Sequence, residues 1–293
     1  MRIDFLHAGL FKLDGGAMHG IVPKSMWQRR CPADDDNLCT WAMRCLLVRT
    51  GDRVVVVDTG MGDKQEAQFR SHFHPHGEQT LIGSLAALGV APEEITDVLL
   101  THLHFDHCGG ATRFRDSANR GDIVPTFPNA VYWTNDAHWA WATAPNPREA
   151  ASFLPENLRP LEASGQLDRL PVTRERDYHW LPGISLRALY GHTEAMMMPL
   201  FELPGGRRVA YCCDLMPATQ HVGLPWIISY DIRPLDTLAE KERLLAESLA
   251  DDYLLLFEHD AEIGAARLER DRRGRAVAVA VEGAGLGPGV KAS

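Results

Sequence analysis

Residues 101–110 read Thr101-His102-Leu103-His104-Phe105-Asp106-His107-Cys108-Gly109-Gly110. They follow a short apolar stretch, Ile95 to Leu100, so the run begins where a buried strand would end. In an extended chain successive side chains alternate, which puts His102 and His104 on one side and Leu103 on the other, toward apolar packing. Asp106 and His107 come where the chain must bend, helped by Gly109 and Gly110. Three imidazoles and a carboxylate therefore converge within six residues. Neutral imidazole nitrogen and carboxylate oxygen suit zinc and similar divalent ions. Without an ion, such a cluster would crowd polar groups at a core edge with little to satisfy them.

Four ligands in so short a run cannot all sit around one tetrahedral ion, so two ions are expected, with further ligands from elsewhere. Working outward, Ala42 to Thr50 reads as a strand, Gly51-Asp52 as a hairpin turn, and Arg53 to Val57 as a strand with four consecutive valines, buried on both faces. Leu81, Ile82, Leu85 and Leu88 recur at helical spacing and stop at Gly89. Downstream, Leu181 to Tyr190 is a strand ending at Gly191-His192-Thr193. Pro199 to Leu203 and Arg207 to Cys213 form a hairpin around Gly205-Gly206 that ends at Asp214. Leu235 to Ala250 is an amphipathic helix, and strand Tyr253 to Phe257 leads into Glu258-His259-Asp260. His192, Asp214 and His259 thus stand at strand ends, and with His102, His104, Asp106 and His107 they make a seven-ligand set. Both halves run strands, helix, strand, polar site, a plan that fits two sheets packed face to face with helices outside.

Two stretches fit that plan poorly. Residues 11–40 mix glycine, proline, Met18, Met26, Trp27 and the acidic triple Asp34-Asp35-Asp36, and 122–160 is rich in proline and aromatics. Both are expected to be ordered loop extensions, packed on the body or serving as a lid, a pocket wall or a dimer contact.

The chain has 293 residues, 45% hydrophobic and 24% charged, which is ordinary globular composition and excludes a disordered, collagen-like or coiled-coil chain. Its formal net charge of −9 disfavours a broad electrostatic grip on nucleic acid or anionic lipid. The basic cluster Arg267, Arg270, Arg272, Arg273 and Arg275 reads as a solvated face. No apolar run reaches the ~18 residues of a membrane span, and Arg2 and Asp4 interrupt any signal-peptide core, so a cytoplasmic protein with no membrane partner is expected. The six cysteines, Cys31, Cys39, Cys45, Cys108, Cys212 and Cys213, contain no CxxC pair and are expected to be reduced. Cys108, Cys212 and Cys213 read as packing residues. His72, His74 and His76 alternate beside Pro75 and Gly77 and read as a pocket rim.

The segment 101–110 resembles the HxHxDH motif of the metallo-β-lactamase superfamily, and Val57-Asp58-Thr59-Gly60, Gly191-His192-Thr193, Asp214 and His259 resemble its remaining motifs in order. The resemblance implies an α/β fold, a four-layer αββα sandwich in a single domain over 1–293, with the metals at one edge of the two sheets. It implies His102, His104 and His192 on the first metal, Asp106, His107 and His259 on the second, and Asp214 bridging them. Asp58 would orient the ligand loops without ligating. Two divalent ions, Zn2+ before iron or manganese, would hold a bridging hydroxide able to attack a carbonyl or phosphoryl group. Asp106 would orient it or pass a proton to the leaving group. The diiron oxygen-reducing branch resembles the same motif with an acidic residue where this chain has His104, which favours hydrolysis here.

Within the superfamily the chain looks most like the branch that includes quorum-quenching lactonases, esterases and organophosphate hydrolases, to which Leu13-Asp14-Gly15-Gly16-Ala17-Met18 is similar. A small ester or lactone is the expected substrate, in a pocket walled by Phe105, Trp133, Trp139, Trp141 and Trp226. Phosphodiester, phosphotriester or β-lactam hydrolysis, or metal binding without catalysis, are the alternatives. No nucleic-acid partner is expected, and a homodimer is allowed by the apolar residues of the N-terminal segment. Two departures stand out. Lactonases often carry a tyrosine three residues after the bridging aspartate, where this chain has Pro217, which leaves His221 and Tyr230 as candidates for proton donor or carbonyl clamp. Relatives commonly follow Gly-His-Thr with Gly-His-Gln after one residue, whereas Glu194-Ala195-Met196-Met197 follows here, which is expected to loosen the support behind His192.

Overall fold

The structure, a computed structural model, describes residues 1–116, 118 and 120–281. Its strands are β1 (Arg2–Asp14), β2 (Leu38–Thr50), β3 (Arg53–Val57), β4 (Asp97–Leu99), β5 (Thr112–Phe114), β6 (Ile123–Pro125), β7 (Val131–Asn135), β8 (Leu167–Leu170), β9 (Tyr178–Leu181), β10 (Ile184–Leu189), β11 (Met196–Glu202), β12 (Arg208–Tyr211), β13 (Leu254–Leu256), β14 (Ala265–Arg270) and β15 (Ala276–Ala280). One six-stranded sheet runs β1-β2-β3-β4-β7-β8, a seven-stranded sheet runs β15-β14-β13-β12-β11-β10-β9, and β5 and β6 pair apart from both.

Alternation along the strands builds the layers. Leu46 and Val48 of β2 with Val55 and Val57 of β3 belong to a core shared with Leu186, Met198, Val209 and Leu255 of the second sheet. Their neighbours Cys45, Leu47 and Val56 face the other way, against Leu81 and Leu85 of the helix Leu81–Ala87, Trp139 of Asp136–Thr143, and Leu158 and Leu161 of Pro155–Ser164. The valine run is thus buried on both faces. Leu244 and Leu245 of the long helix Pro234–Asp251 join the core of the second sheet. The two sheets packed face to face, with helices on their outer faces, make a mixed α/β sandwich as a single domain over most of the chain. No helix among the described residues is long and apolar enough to cross a membrane.

The β2–β3 hairpin turns at Gly51, with Thr50 paired to Arg53. The stretch 11–40, expected as loop, instead opens with the end of β1, continues through helices Gly15–His19 and Lys24–Trp27, and closes with the start of β2. Strand β1 escapes the sequence pattern because a bulge between His7 and Leu10, with Gly9 at φ +103, resets its alternation, and because buried Asp4 is held by Arg2 and Arg49. The stretch 122–160 likewise carries β6, the interior strand β7 and two helices; Pro155 opens the second of these, where a missing N–H costs nothing. Leu181 ends β9 and the next strand starts only at Ile184, across a turn with Gly183 at φ +74.

Candidate metal centre

The candidate ligands sit just beyond the C-terminal ends of β4, β10, β12 and β13, and Met197 N–H, donating to Thr101 O at 2.8 Å, ties the two sheets together there. The bend after His104 is a one-turn helix, Phe105–Cys108, that runs straight into Gly109. A Cβ on Gly109 would lie 2.0 Å from Met61 O, and one on Gly110 2.2 Å from Thr59 O, so only glycine lets this loop lie against the Thr59–Met61 backbone. Buried Lys64 caps the bend by donating to Gly109 O.

The structure brings all seven expected ligands together, in two buried groups: His102, His104, His192 and Asp214, and Asp106, His107 and His259, with the offered ligand atoms of each group within 4.8 Å of one another. His192 Nε2 lies 3.1 Å from His104 Nδ1, and His259 Nε2 lies 3.2 Å from His107 Nε2. In four of the five rings the other nitrogen is committed. His192 Nδ1 donates to Asp231 Oδ1 at 2.9 Å, His259 Nδ1 to Ala42 O at 2.7 Å, His107 Nδ1 to Asp58 Oδ2 at 3.3 Å and His102 Nδ1 to Thr101 Oγ1 at 3.1 Å. His104 Nε2 faces Glu149 Oε1 at 3.6 Å. Where these rings are neutral, the inward-facing nitrogens present lone pairs to one another, an arrangement that repels unless a proton or a metal cation lies between them. Tetrahedral zinc with bonds of ~2.05 Å sets its ligand atoms ~3.3 Å apart, close to these separations. His102 Nε2 and Asp214 Oδ1 are buried without hydrogen-bond partners. The residues present fit divalent cations.

Asp214 lies between the groups. Its Oδ2 is 3.1 Å from His192 Nε2 and 3.5 Å from His107 Nε2, while Oδ1 is 3.2 Å from His259 Nε2. Burial would push this carboxyl up, but His107, His192 and His259 hold it well below the usual carboxylate range. Burial, then the neighbouring imidazoles of His107, His104 and His192, holds His102 well below the usual histidine range, so it presents a neutral nitrogen. At His259, burial acts downward but the carboxylates of Asp214 and Glu258 raise it to about 9. The acidic groups draw positive charge to this spot.

Several supporting groups gave no signal in the sequence. Asp231 fixes His192 and is itself held by Thr237 Oγ1 at 2.7 Å, so the support behind His192 expected to be loose is instead supplied from the loop before the long helix. A Cβ on Gly191 would meet Thr237 N at 2.3 Å, which keeps this junction close. Glu149, in the proline-rich stretch, accepts from Thr193 Oγ1 at 2.7 Å and Trp141 Nε1 at 2.8 Å behind His104. Glu258 lies 3.1 Å from His107 Nδ1. The one cue for each was an acidic residue near a ligand or in a loop, which is too common to single out.

The two candidates for assisting the substrate part company. Tyr230 is 39% exposed, and its hydroxyl is raised to about 12 by burial and by the carboxylates of Asp106, Asp14 and Asp214. His221 is fully buried in a short turn, its Nε2 donating to Met18 O at 2.7 Å and its ring stacked on His19 at 5.5 Å, and the structure does not bring it to the ligands. Pro217 supports the centre through its carbonyl, which accepts His259 N–H at 2.9 Å.

The aromatic surroundings also differ from expectation. Phe153 packs on His104 at 4.8 Å, Phe11 on His259 at 5.5 Å, and Phe105 meets Phe69 and Phe73 at 5.1 and 4.5 Å. Trp133 instead bonds Asp97 and packs on Trp180, Trp139 points from the helix Asp136–Thr143 into the core of the first sheet, Trp141 is held by Glu149, and Trp226 lines a separate groove near Trp41 and Val277. The free thiol of Cys108 is buried, which pushes it up to about 12, and its Sγ donates to Leu103 O at 3.3 Å, a packing role. His72 and His74 are exposed, and His76 Nδ1 donates to His74 O.

The fold and this site define a metal-dependent hydrolase. The chain belongs to the metallo-beta-lactamase superfamily, whose sequence profile matches residues 44–259. It is 27% identical over 211 residues to an N-acyl homoserine lactonase of Bacillus cereus, covering 69% of this chain and 70% of that one. Among solved structures it resembles a probable metal-dependent hydrolase from Staphylococcus aureus, with a TM-score of 0.83, 28% identity and 96% of each chain covered. It also shares its fold with AidC, a dizinc quorum-quenching lactonase solved with a product, at a TM-score of 0.74, 18% identity and 96% and 94% coverage.

Proposed function

We propose that this chain hydrolyses small uncharged esters or lactones at a centre of two divalent cations, zinc first among them. The observation that carries this reading is Asp214, whose carboxylate lies between the two groups, Oδ2 3.1 Å from His192 Nε2 and 3.5 Å from His107 Nε2, and Oδ1 3.2 Å from His259 Nε2. His102, His104 and His192 would hold one cation, Asp106, His107 and His259 the other, and Asp214 both. When bound, the cations acidify a water molecule and polarise the carbonyl oxygen of the substrate.

The remaining work falls to the chain. Asp106 Oδ2 is 3.7 Å from both His107 Nε2 and His259 Nε2, which leaves the other carboxylate oxygen to orient the water, accept its proton and deliver it to the departing alkoxide as the acyl C–O bond breaks. Partly exposed Tyr230 would donate its hydroxyl to the carbonyl oxygen, the task a tyrosine at position 217 would otherwise serve. Phe105 and Phe153, lying against the ligand loop and His104, offer apolar contact to an uncharged substrate. The B. cereus relative, named as a lactonase, supports a lactone over other esters.

The experiment is a panel of lactones, p-nitrophenyl esters, a phosphodiester and nitrocefin, run on zinc-loaded protein with and without chelator. Chelator-sensitive turnover of lactones or esters supports the proposal. Turnover confined to the phosphodiester or nitrocefin refutes it in favour of that chemistry, and two bound ions with no turnover indicate a non-catalytic metal protein.

A further inference from the structure

We propose that Glu258 is a positioning residue that works through the His107 imidazole to strengthen the cation site of Asp106, His107 and His259. The inference rests on the two-cation reading above. Glu258 is fully buried, and its Oε2 lies 3.1 Å from His107 Nδ1. Asp58 reaches the same nitrogen at 3.3 Å, but its oxygens already accept from Thr101 N at 2.8 Å and Thr101 Oγ1 at 2.7 Å. Neither oxygen of Glu258 has a hydrogen-bond donor among the described residues. The nearby Arg44 guanidinium donates to Phe257 O at 2.7 Å and makes no hydrogen bond to the Glu258 side chain, so its charge acts on that carboxylate only from a distance.

A buried carboxylate without donors is costly and persists only where nearby positive charge offsets it. Here part of that charge is the Arg44 guanidinium, and the group in direct contact with the carboxylate is the His107 imidazole, whose far side faces the proposed cation site. Carboxylates facing Nδ1 enrich Nε2 in electron density and make it a stronger ligand, and His107 Nε2 is the nitrogen 3.2 Å from His259 Nε2. The backbone fixes the arrangement. Arg44 N–H donates to Glu258 O and Ala42 N–H to His259 O, both at 3.1 Å, so β2 holds the carboxylate and the next ligand in one register.

The test compares metal-free wild-type protein with Glu258→Gln and Glu258→Asp, titrated with Zn2+ against a chromophoric chelator and with Co2+ by visible absorption. Circular dichroism and thermal unfolding of the metal-free variants establish that each is folded. We expect Glu258→Gln to keep the first equivalent at wild-type affinity, to bind the second about 10- to 100-fold more weakly, and to shift the cobalt bands of that second equivalent. Glu258→Asp, which keeps the charge, recovers part of the affinity. A Gln variant that binds both equivalents as the wild type does overturns the inference, and so does an Asp variant as weak as Gln, which would indicate packing alone. Wild-type protein that takes up only one equivalent overturns the two-cation reading itself, a result distinct from any difference between variants.

Discussion

Replacing Asp231 with Asn removes one negative charge from behind His192 while keeping the size of the side chain. His192 and Asp231 are both buried, their contact is 2.9 Å, and Thr237 holds the far oxygen of Asp231 at 2.7 Å, so water cannot readily substitute. A hydrogen bond to a charged group contributes about 1.5–3 kcal/mol, and tenfold in affinity corresponds to about 1.4 kcal/mol. Asp231→Asn should therefore weaken one cation site by about 10- to 100-fold, the range found when such outer partners of metal ligands are lost. The loss should fall on the site built from His102, His104 and His192 and spare that of Asp106, His107 and His259. Chelator competition on metal-free protein reads both equivalents, and circular dichroism checks the fold. Unchanged affinity for both equivalents, or an equal loss at both, would refute the argument that Asp231 fixes His192.

Tyr230→Phe should lower kcat by up to about 100-fold, as for a donor to a developing oxyanion, with two ions still bound by elemental analysis; unaltered kcat would remove Tyr230 from the reaction. His221→Gln should leave kcat close to wild type, because the imidazole lies away from the ligands, and should lower the melting temperature through a lost buried hydrogen bond contributing about 1 kcal/mol. Burial holds His221 down at about 3. A neutral buried histidine contributes stability that is complete above its unfolded value near 6.5 and is lost as pH falls from there toward 3. Denaturant unfolding should show this ring contributing about 1.4 kcal/mol per pH unit in that window, a share of the slope absent in His221→Gln. Chelator should lower the melting temperature of zinc-loaded protein, since a ligand at 1,000 times its Kd stabilises by about 4 kcal/mol per site; identical melting curves with and without chelator would contradict binding to the folded form.

The candidate centre was legible because four of its proposed ligands fall within one short stretch, where alternation and a glycine bend dictate their directions. His192, Asp214 and His259 were legible as polar residues closing apolar strands, and the valines of β3 showed a strand buried on both faces. What escaped is set by tertiary context. Strand β1 hides behind a bulge and a buried aspartate held by two arginines. Strand β7 hides among prolines that mark only its flanks. Asp231, Glu149 and Glu258 act through rings remote in sequence, and only the packed chain shows which imidazole each one faces. His221 lies close to Asp214 in sequence, yet its turn directs the ring toward Met18 and His19.

Anomalous diffraction from crystals of zinc-loaded protein, collected above and below the zinc edge, addresses the central claim most directly. Two peaks per chain, one on each side of the Asp214 carboxylate and within bonding distance of His192 and His259 respectively, are predicted. A single peak, or density away from Asp214, would contradict a centre shared between the two histidine groups.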